Sequence, residues 1–375
     1  MKTIVYLNPD YFTDTDLTVL KYLAKEYKVV WFYIHESIKN NNYITVEQAS
    51  EYAKNNGLEL KVVDPKLRHR NPKNIFFYIN VVREINIINP DLVFSCLRDP
   101  YWVIAEKLFL KCTNVVLGIH DVKLHSSERS ILHVLESFVN NLIITTHRYF
   151  VTFSRNQQKL LNDLFGKKSC MVGMSCKDFG KSDLIPSDIS KKVKLLFFGG
   201  IHKYKGLDLL ITELEKLWQK GYTNMSLTIA GNGNYWKYCE SLVKTKEIYN
   251  LKIHFIDNKD IPDLMSSHHF LVLPYRDATQ SGPLATAEAY ELPIIAPNFG
   301  CFADTYTSES AILYPQGHLD EALIIVSNLT NDKYMQMKHA CRKVKDNNSE
   351  ESIAKNYIQY FNSLMDKKTS TFNDN

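Results

Sequence analysis

The chain has 375 residues, too many for one ordinary core and enough for two domains of roughly 150–190 residues. An apolar fraction of 45% and a charged fraction of 23% are those of a globular protein, and no apolar run reaches the roughly 18 residues of a membrane helix. A net charge of +4 is too small to point to nucleic acid, and seven scattered cysteines without a C-x-x-C pair argue against a disulfide framework or a zinc site.

The charge is uneven. Residues 1–185 carry 24 Lys+Arg and 19 Asp+Glu, which leaves 21 and 22 for the rest, so the first half is about +5 and the second about −1. A mildly basic first half suits an anionic surface or acceptor, although solvated faces produce the same imbalance.

In chain order, short β-rich runs alternate with amphipathic stretches. The first half offers strands at 4–7, 29–34, 60–63, 92–96, 115–119 and 149–153, with helical patterns such as 16–27 and 72–88 between them. The run at 4–7 is too short for a signal peptide. Several runs are continuously apolar, as parallel strands buried on both faces require. Residues 176–192, with a Gly, a Pro and three Asp and no clear period, read as a boundary. The rhythm restarts with strands at 193–198, 226–230, 253–256, 270–273, 293–296 and 311–314. Two βαβ series predict two Rossmann-like domains. A helix at 352–364 follows, with Asn348 as its N-cap and Glu350 and Glu351 in its first turn, and residues 367–375 read as a disordered tail.

Ligands of open α/β sheets bind beyond the carboxyl ends of the strands, so the segments there are the ones to inspect. Asp14-Thr15-Asp16 matches a D-x-D metal pattern, but Asp14 also reads as a helix N-cap. "PKLRHRNPKNIFFYINVV", residues 65–82, groups Lys66, Arg68, His69, Arg70 and Lys73 before an apolar helix. It is either a basic loop leading into a half-buried helix or a contact for lipid phosphates. His120-Asp121 ends the strand at 115–119 and can orient a reacting group, or be an ordinary structural pair. After 193–198 comes "GGIHKYKG", where Gly199 and Gly200 admit close backbone approach and Lys205 can meet a phosphate; alone, this is also a common βα turn. "GNGNYWKY" is no dinucleotide fingerprint, since Trp236 replaces the third glycine; Gly231 and Gly233 read as a turn that can approach a base or ribose. "ATQSGPLATAEAYELP", residues 278–293, reads as a helix start with Gly282 as cap and Pro283 first in the helix. That leaves free amides at Leu284 and Ala285 for a phosphate, with Gln280 and Ser281 as neutral donors and Glu288 as a carboxylate for a ribose diol. The alanines around Glu288 imply close packing there.

Together these segments resemble glycosyltransferases of the GT-B fold, in or near glycosyltransferase family 4. "LLFFGGIHKYKGLDLLI" and "LTIAGNG" are similar to that family's donor-domain strands and turns. "LVLPYRDATQSGPLATAEAYELPIIAPNFG" resembles its Gln-Ser-Gly subgroup, and "VVLGIHD" and "VTFSRNQQKLL" its first domain. The resemblance is strongest over residues 193–315. It implies an α/β, GT-B chain of two Rossmann-like domains facing a central cleft: an acceptor-binding domain at 1–180, completed by a C-terminal helix at 350–366 crossing back to it, and a nucleotide-sugar domain at 188–348. It further implies that Gly200, His202, Lys205, Gly231, Gln280, Ser281, Gly282, Pro283, Leu284 and Glu288 bind the donor, with His120 and Lys205 catalytic. The implied activity is a retaining, metal-independent transfer of a sugar from a nucleotide-diphosphate sugar to a hydroxyl of a saccharide or lipid-linked saccharide, in bacterial surface-polysaccharide assembly. No cofactor or nucleic acid is implied; the setting is cytoplasmic, with peripheral contact at the inner membrane face.

Four departures stand out. Gln280 removes a carboxylate that many members carry, His202 stands where the subgroup usually has arginine, and Glu291 replaces the usual glycine before Leu-Pro. The glycine-rich loop after the first strand is replaced by "NPDYFTD". A nucleotide-sugar epimerase of the same shape and an inactive donor-binding partner subunit are the alternatives.

Overall fold

The computed structural model describes residues 1–35, 44–67, 71–123, 131–278 and 281–370. The chain divides into two compact units: Met1–Met174 with Glu350–Asn375, and Ser175–Ser349.

Among the described residues, the first unit holds a seven-stranded parallel sheet in the order β3-β2-β1-β4-β5-β6-β7. Its strands are β1 (Thr3–Pro9), β2 (Lys28–Ile34), β3 (Glu59–Val63), β4 (Leu92–Ser95), β5 (Val115–Ile119), β6 (Tyr149–Thr152) and the two-residue β7 (Cys170–Met171). β1, β2 and β4 are buried almost throughout, which explains their unbroken apolar sequences. Helices Thr13–Glu26, Val46–Asn55 and Glu350–Ser370 cover one face. There Tyr357 and Phe361 meet Phe94 with ring centroids 5.6 and 5.8 Å away. Helices Asn74–Ile88, Pro100–Phe109, Ile131–Thr146 and Arg155–Phe165 cover the other. Local chemistry fixes their ends. Ser154 caps Arg155–Phe165 by accepting from the Gln157 amide, and Gly166 in the left-handed region closes it.

Among the described residues, the second unit is a six-stranded parallel sheet in the order β10-β9-β8-β11-β12-β13. These are β8 (Val193–Phe198), β9 (Met225–Ala230), β10 (Tyr249–Lys252), β11 (Phe270–Val272), β12 (Ile294–Pro297) and β13 (Ala311–Tyr314). Strand order reverses between β1 and β4 in the first sheet and between β8 and β11 in the second, and each reversal opens a crevice at the strand ends.

Several expected boundaries are corrected. The strand expected at 253–256 lies at Tyr249–Lys252, paired with β9 from Tyr249↔Leu227. As an edge strand with Asn250, Leu251 and Lys252 exposed it has no apolar signature, whereas Ile256 owes its apolarity to packing from a loop. Asp14 is no N-cap: a 3₁₀ turn over Asp10–Phe12 leads straight into Thr13–Glu26, with Phe12 at the cap position. The helix turns Asp14 outward and Asp16 inward, where Asp16 accepts from the Tyr6 hydroxyl (2.9 Å) and the Asn8 amide (2.8 Å), so the D-x-D pattern does not form a pair. Asn348 ends the helix Asn331–Asn347 and does not start the next one. The last helix continues to Ser370, past the expected end of order at 366, and residues 371–375 lie outside the described residues.

Glu291 has a φ of +52°, which explains why a glycine would suit its position. Its carboxylate approaches Arg342 (3.5 Å) and Lys345 (3.8 Å). Left-handed strain of about 1–2 kcal/mol opposes the lost ion pairs and glycine's greater unfolded entropy. We expect Glu291→Gly to shift stability by less than about 1 kcal/mol and Glu291→Val to cost about 1–3 kcal/mol in urea unfolding. A glycine variant several kcal/mol less stable would show that the ion pairs outweigh the strain.

Candidate functional site

The second unit gathers its notable side chains at the β8–β11 switch point. β8 is followed at once by Gly199, whose φ of +106° bends the chain back, and an added Cβ there would lie 3.1 Å from Pro283 and 3.4 Å from the Lys205 ammonium. Behind it, the turn after β9 presses so close that a Cβ on Gly231 would lie 2.0 Å from the Gly199 carbonyl oxygen. These two glycines let the backbone turns stack and keep the crevice floor free of side chains. Gly200 carries His202 beside it, which is exposed and stacks on Tyr204 with ring centroids 5.9 Å apart.

Lys205 closes the short 3₁₀ turn Lys203–Lys205 and is 8% exposed. Among the described residues no hydrogen bond or ion pair reaches its ammonium, and its nearest aromatic surface is the Tyr275 ring, 5.8 Å away at the centroid. Desolvation lowers its pKa to about 8.

The turn is braced by residues that the sequence reading did not single out. Arg276 donates to both Asp208 oxygens (2.8 and 2.7 Å) and to the Lys203 carbonyl (2.6 Å). The Arg276 amide donates to the Tyr204 carbonyl. The segment after β11 is thus fastened to the lysine turn. Tyr275, buried beside Phe302, bonds through its hydroxyl to Ser281 (3.2 Å). Their positions directly behind β11 and at the start of Leu207–Gln219 were the available signal.

The helix of the second crevice wall runs Gly282–Ala289 with Ser281 as N-cap, Gly282 first and Pro283 second. This moves the expected frame by one residue. The Ser281 side chain accepts from the Leu284 amide (3.3 Å) and the Ala285 amide donates to the Ser281 carbonyl (3.2 Å), so neither amide is free, contrary to expectation. The first turn still presents its dipole to the crevice, and Gly282 is exposed with open space around it. Gln280, with its neighbour Thr279, lies outside the described residues.

Glu288 sits on the inner side of this helix, 3% exposed, as its alanine neighbours suggested. It accepts from the Asn348 amide (3.0 Å), and burial raises its pKa to about 8 against the lowering effect of that bond. Asn348 is a further residue the sequence did not reveal in this role. In the first unit, His120 follows β5 and lies between Phe153 and Phe12, with centroids at 3.8 and 4.8 Å and near-parallel rings. Beside it, the Asp121 carbonyl accepts from Arg98 (2.6 Å). Gly199, Gly200, Lys205, Gly231, Ser281, Gly282 and Pro283 therefore converge in one crevice, Glu288 lies farther along the same helix, and His120 belongs to the other unit.

Two doubly wound parallel units, the second with a glycine-floored crevice under a capped helix, define the GT-B class of fold. Residues 192–332, most of the second unit, match the family model described as Glycosyl transferases group 1. A Klebsiella pneumoniae protein described as an uncharacterized 41.2 kDa protein in the cps region is 23% identical over 175 residues, covering 46% of this chain and 47% of that relative. The match thus spans about half the length of the relative. Among solved structures, Anabaena HepE with UDP and glucose is similar at a TM-score of 0.70 and 14% identity, over 97% of this chain and 100% of that one. Sucrose-phosphate synthase of Thermosynechococcus elongatus is similar at 0.71 and 12% identity, over 98% and 100%. These identities speak for the fold.

Proposed function

We propose that the chain is a retaining glycosyltransferase that moves a sugar from a nucleotide-diphosphate sugar to a hydroxyl of a saccharide or lipid-linked saccharide. The observation that supports this reading is the buried Lys205 ammonium, uncompensated among the described residues, beside the Gly199 turn and the Pro283 helix start. Such a charge is costly until an anion arrives, and a diphosphate supplies one. In the proposed donor complex Lys205, the exposed Gly282 at the helix start and the Ser281 hydroxyl hold the diphosphate, with Gly200, His202, Pro283, Leu284 and Gln280 nearby. Gly231 admits the nucleoside, and Glu288 receives the ribose diol. Structures of HepE with UDP and UDP-glucose, and the cps region of the Klebsiella relative, support a nucleotide-sugar donor and a surface-polysaccharide setting.

In the proposed step the bond from the anomeric carbon to the diphosphate breaks and a bond to the acceptor oxygen forms. The acceptor proton passes to the leaving diphosphate, and His120 orients the sugar. The helix start contributes about 1 kcal/mol and one charge-assisted bond from Lys205 roughly 1.5–3 kcal/mol. Enzymatic acceleration asks for about 8 kcal/mol or more, so positioning of the acceptor hydroxyl supplies the larger share. The fixed ammonium serves the role that a divalent ion plays in metal-dependent transferases, so the reaction is proposed to need no metal.

A thermal-shift screen against nucleotide-diphosphate sugars, followed by product analysis with and without saccharide acceptors, tests this reading. The true donor should raise the melting temperature by mass action and yield an acceptor-dependent product that retains the anomeric configuration, with chelator present. An altered sugar released without acceptor would identify an epimerase instead. Binding without turnover would mark an inactive partner subunit, and loss of activity to chelator with rescue by a divalent ion would remove the metal-independent mechanism.

A further inference from the structure

Of the charged residues that the sequence marks out, Arg68, His69 and Arg70 lie outside the described residues, whereas the surroundings of Glu288 are complete enough to compare. Among the described residues of the second unit, two glutamates are buried, Glu215 and Glu288. Glu215 accepts from the Lys244 amide (2.9 Å), the Thr245 amide (3.0 Å) and the Thr245 hydroxyl (2.8 Å). Burial alone would raise its pKa, yet these donors bring it below the ordinary value. That is the setting of a structural carboxylate, with both oxygens satisfied.

Glu288 is provided for differently. Asn348 donates to its Oε2, and among the described residues no hydrogen bond reaches its Oε1. The titratable groups close enough to feel its charge are Cys301 on Gly300–Thr305, Tyr306 directly after that helix, and Cys341 on Asn331–Asn347. Burial pushes all three up, so each is neutral at pH 7, and none is a cation. The Asn348 amide is therefore what favours the ionised form of Glu288 against burial. Asn348 is itself held in place. Its backbone amide donates to the Val344 carbonyl (3.1 Å) and its carbonyl accepts from the Cys176 amide (2.8 Å). The neighbouring Lys177 amide donates to the Ala285 carbonyl (2.8 Å), one turn before Glu288. The first and last segments of the second unit thus close on the helix that carries the carboxyl, which is the support that a fixed functional group needs.

We propose that Asn348 is a positioning residue for nucleotide binding, whose side-chain amide holds Glu288 Oε2 and leaves Oε1 to accept from a ribose diol. The inference rests on the ribose contact proposed above. A carboxylate only accepts, as two ribose hydroxyls require, whereas a protonated carboxyl keeps one oxygen as a donor. Without Asn348, burial acts alone and ionisation moves to higher pH.

Calorimetric titration of the full chain with UDP, ADP and GDP, and with their 2′-deoxy forms, tests it in the wild type, Asn348→Ala, Asn348→Asp and Glu288→Gln. Asn348→Asp keeps the shape and removes the donor, so it separates the hydrogen bond from packing. Both Asn348 variants should bind the preferred ribonucleotide about tenfold more weakly than wild type at pH 7. The ratio should shrink toward pH 9, where the carboxyl ionises unaided; titration of Lys205 is common to all and cancels in it. It should nearly vanish for the 2′-deoxy nucleotide, which lacks the diol. A loss in Glu288→Gln with none in either Asn348 variant would overturn the positioning role and leave the ribose contact standing. A loss of one size at every pH, and for the deoxy nucleotide too, would make Asn348 structural only. Unchanged affinity in Glu288→Gln, or binding of none of the three by wild type, would remove the ribose contact and this proposal together.

Discussion

Replacing Lys205 with methionine should weaken donor binding about tenfold to a hundredfold and cut turnover by about 10²–10³-fold, the usual cost of removing one charged donor from a developing anion. The substitution keeps an unbranched side chain of similar length and removes the charge, which lies 5.8 Å from the Tyr275 ring centroid. It should also stabilise the unliganded protein. The Lys205 pKa is about 8, below its ordinary value because of desolvation, so between pH 8 and the unfolded value the unfolded chain binds more protons. Wild-type stability therefore rises with pH across that window, and the methionine variant should lack the rise. A diphosphate prefers the protonated amine, so wild-type donor affinity should fall as pH rises through about 8. Calorimetric titration of donor at several pH values checks both trends. Near-normal transfer by Lys205→Met would sink the phosphate role.

Glu288→Gln should show the same trade in a carboxyl group. Burial raises the Glu288 pKa to about 8, so the stability associated with the protonated form is fully present below the unfolded value and is lost as pH rises through 8. The glutamine variant should match wild type near pH 4 and exceed it by about 1–3 kcal/mol near pH 9, because it no longer ionises a buried group. Its amide oxygen can still accept from Asn348. If Glu288 meets the ribose diol as proposed, nucleotide affinity should fall about tenfold over the same pH range in which stability is gained. Unchanged nucleotide affinity would refute the ribose contact while leaving the stability argument intact. Function held at the expense of stability is a familiar pattern at active sites.

Much of the architecture was legible in the sequence because parallel buried strands announce themselves as apolar runs, and Val193–Phe198 and Ile294–Pro297 are such strands. The crevice was legible for a related reason. Gly199, Lys205 and Pro283 each follow a strand that ends at the switch point, so chain order alone brings them to one edge. What stayed hidden depends on partners distant in sequence. Arg276 and Asp208 are 68 residues apart, and Asn348 and Glu288 are 60 apart. No local pattern specifies either pair. The cap of Gly282–Ala289 was misplaced by one residue because serine and glycine both suit that position, and only the backbone geometry decides between them. Edge strand β10 was missed because half-exposed pairing leaves no periodic trace.

The second unit is continuous in the chain, whereas the first is interrupted after Met174 and resumes at Glu350. The returning helix supplies Ile353, Tyr357, Phe361 and Leu364 to the first core. During synthesis, the nascent first unit must therefore wait while the whole of the second is made. At roughly 5–20 residues per second that interval is about ten to forty seconds, with one face of its sheet lacking the last of its three covering helices. The second unit can close as soon as it emerges. The part of the molecule translated first is thus the last to be completed, and the strip of its sheet that awaits the returning helix is where a chaperone would have to act.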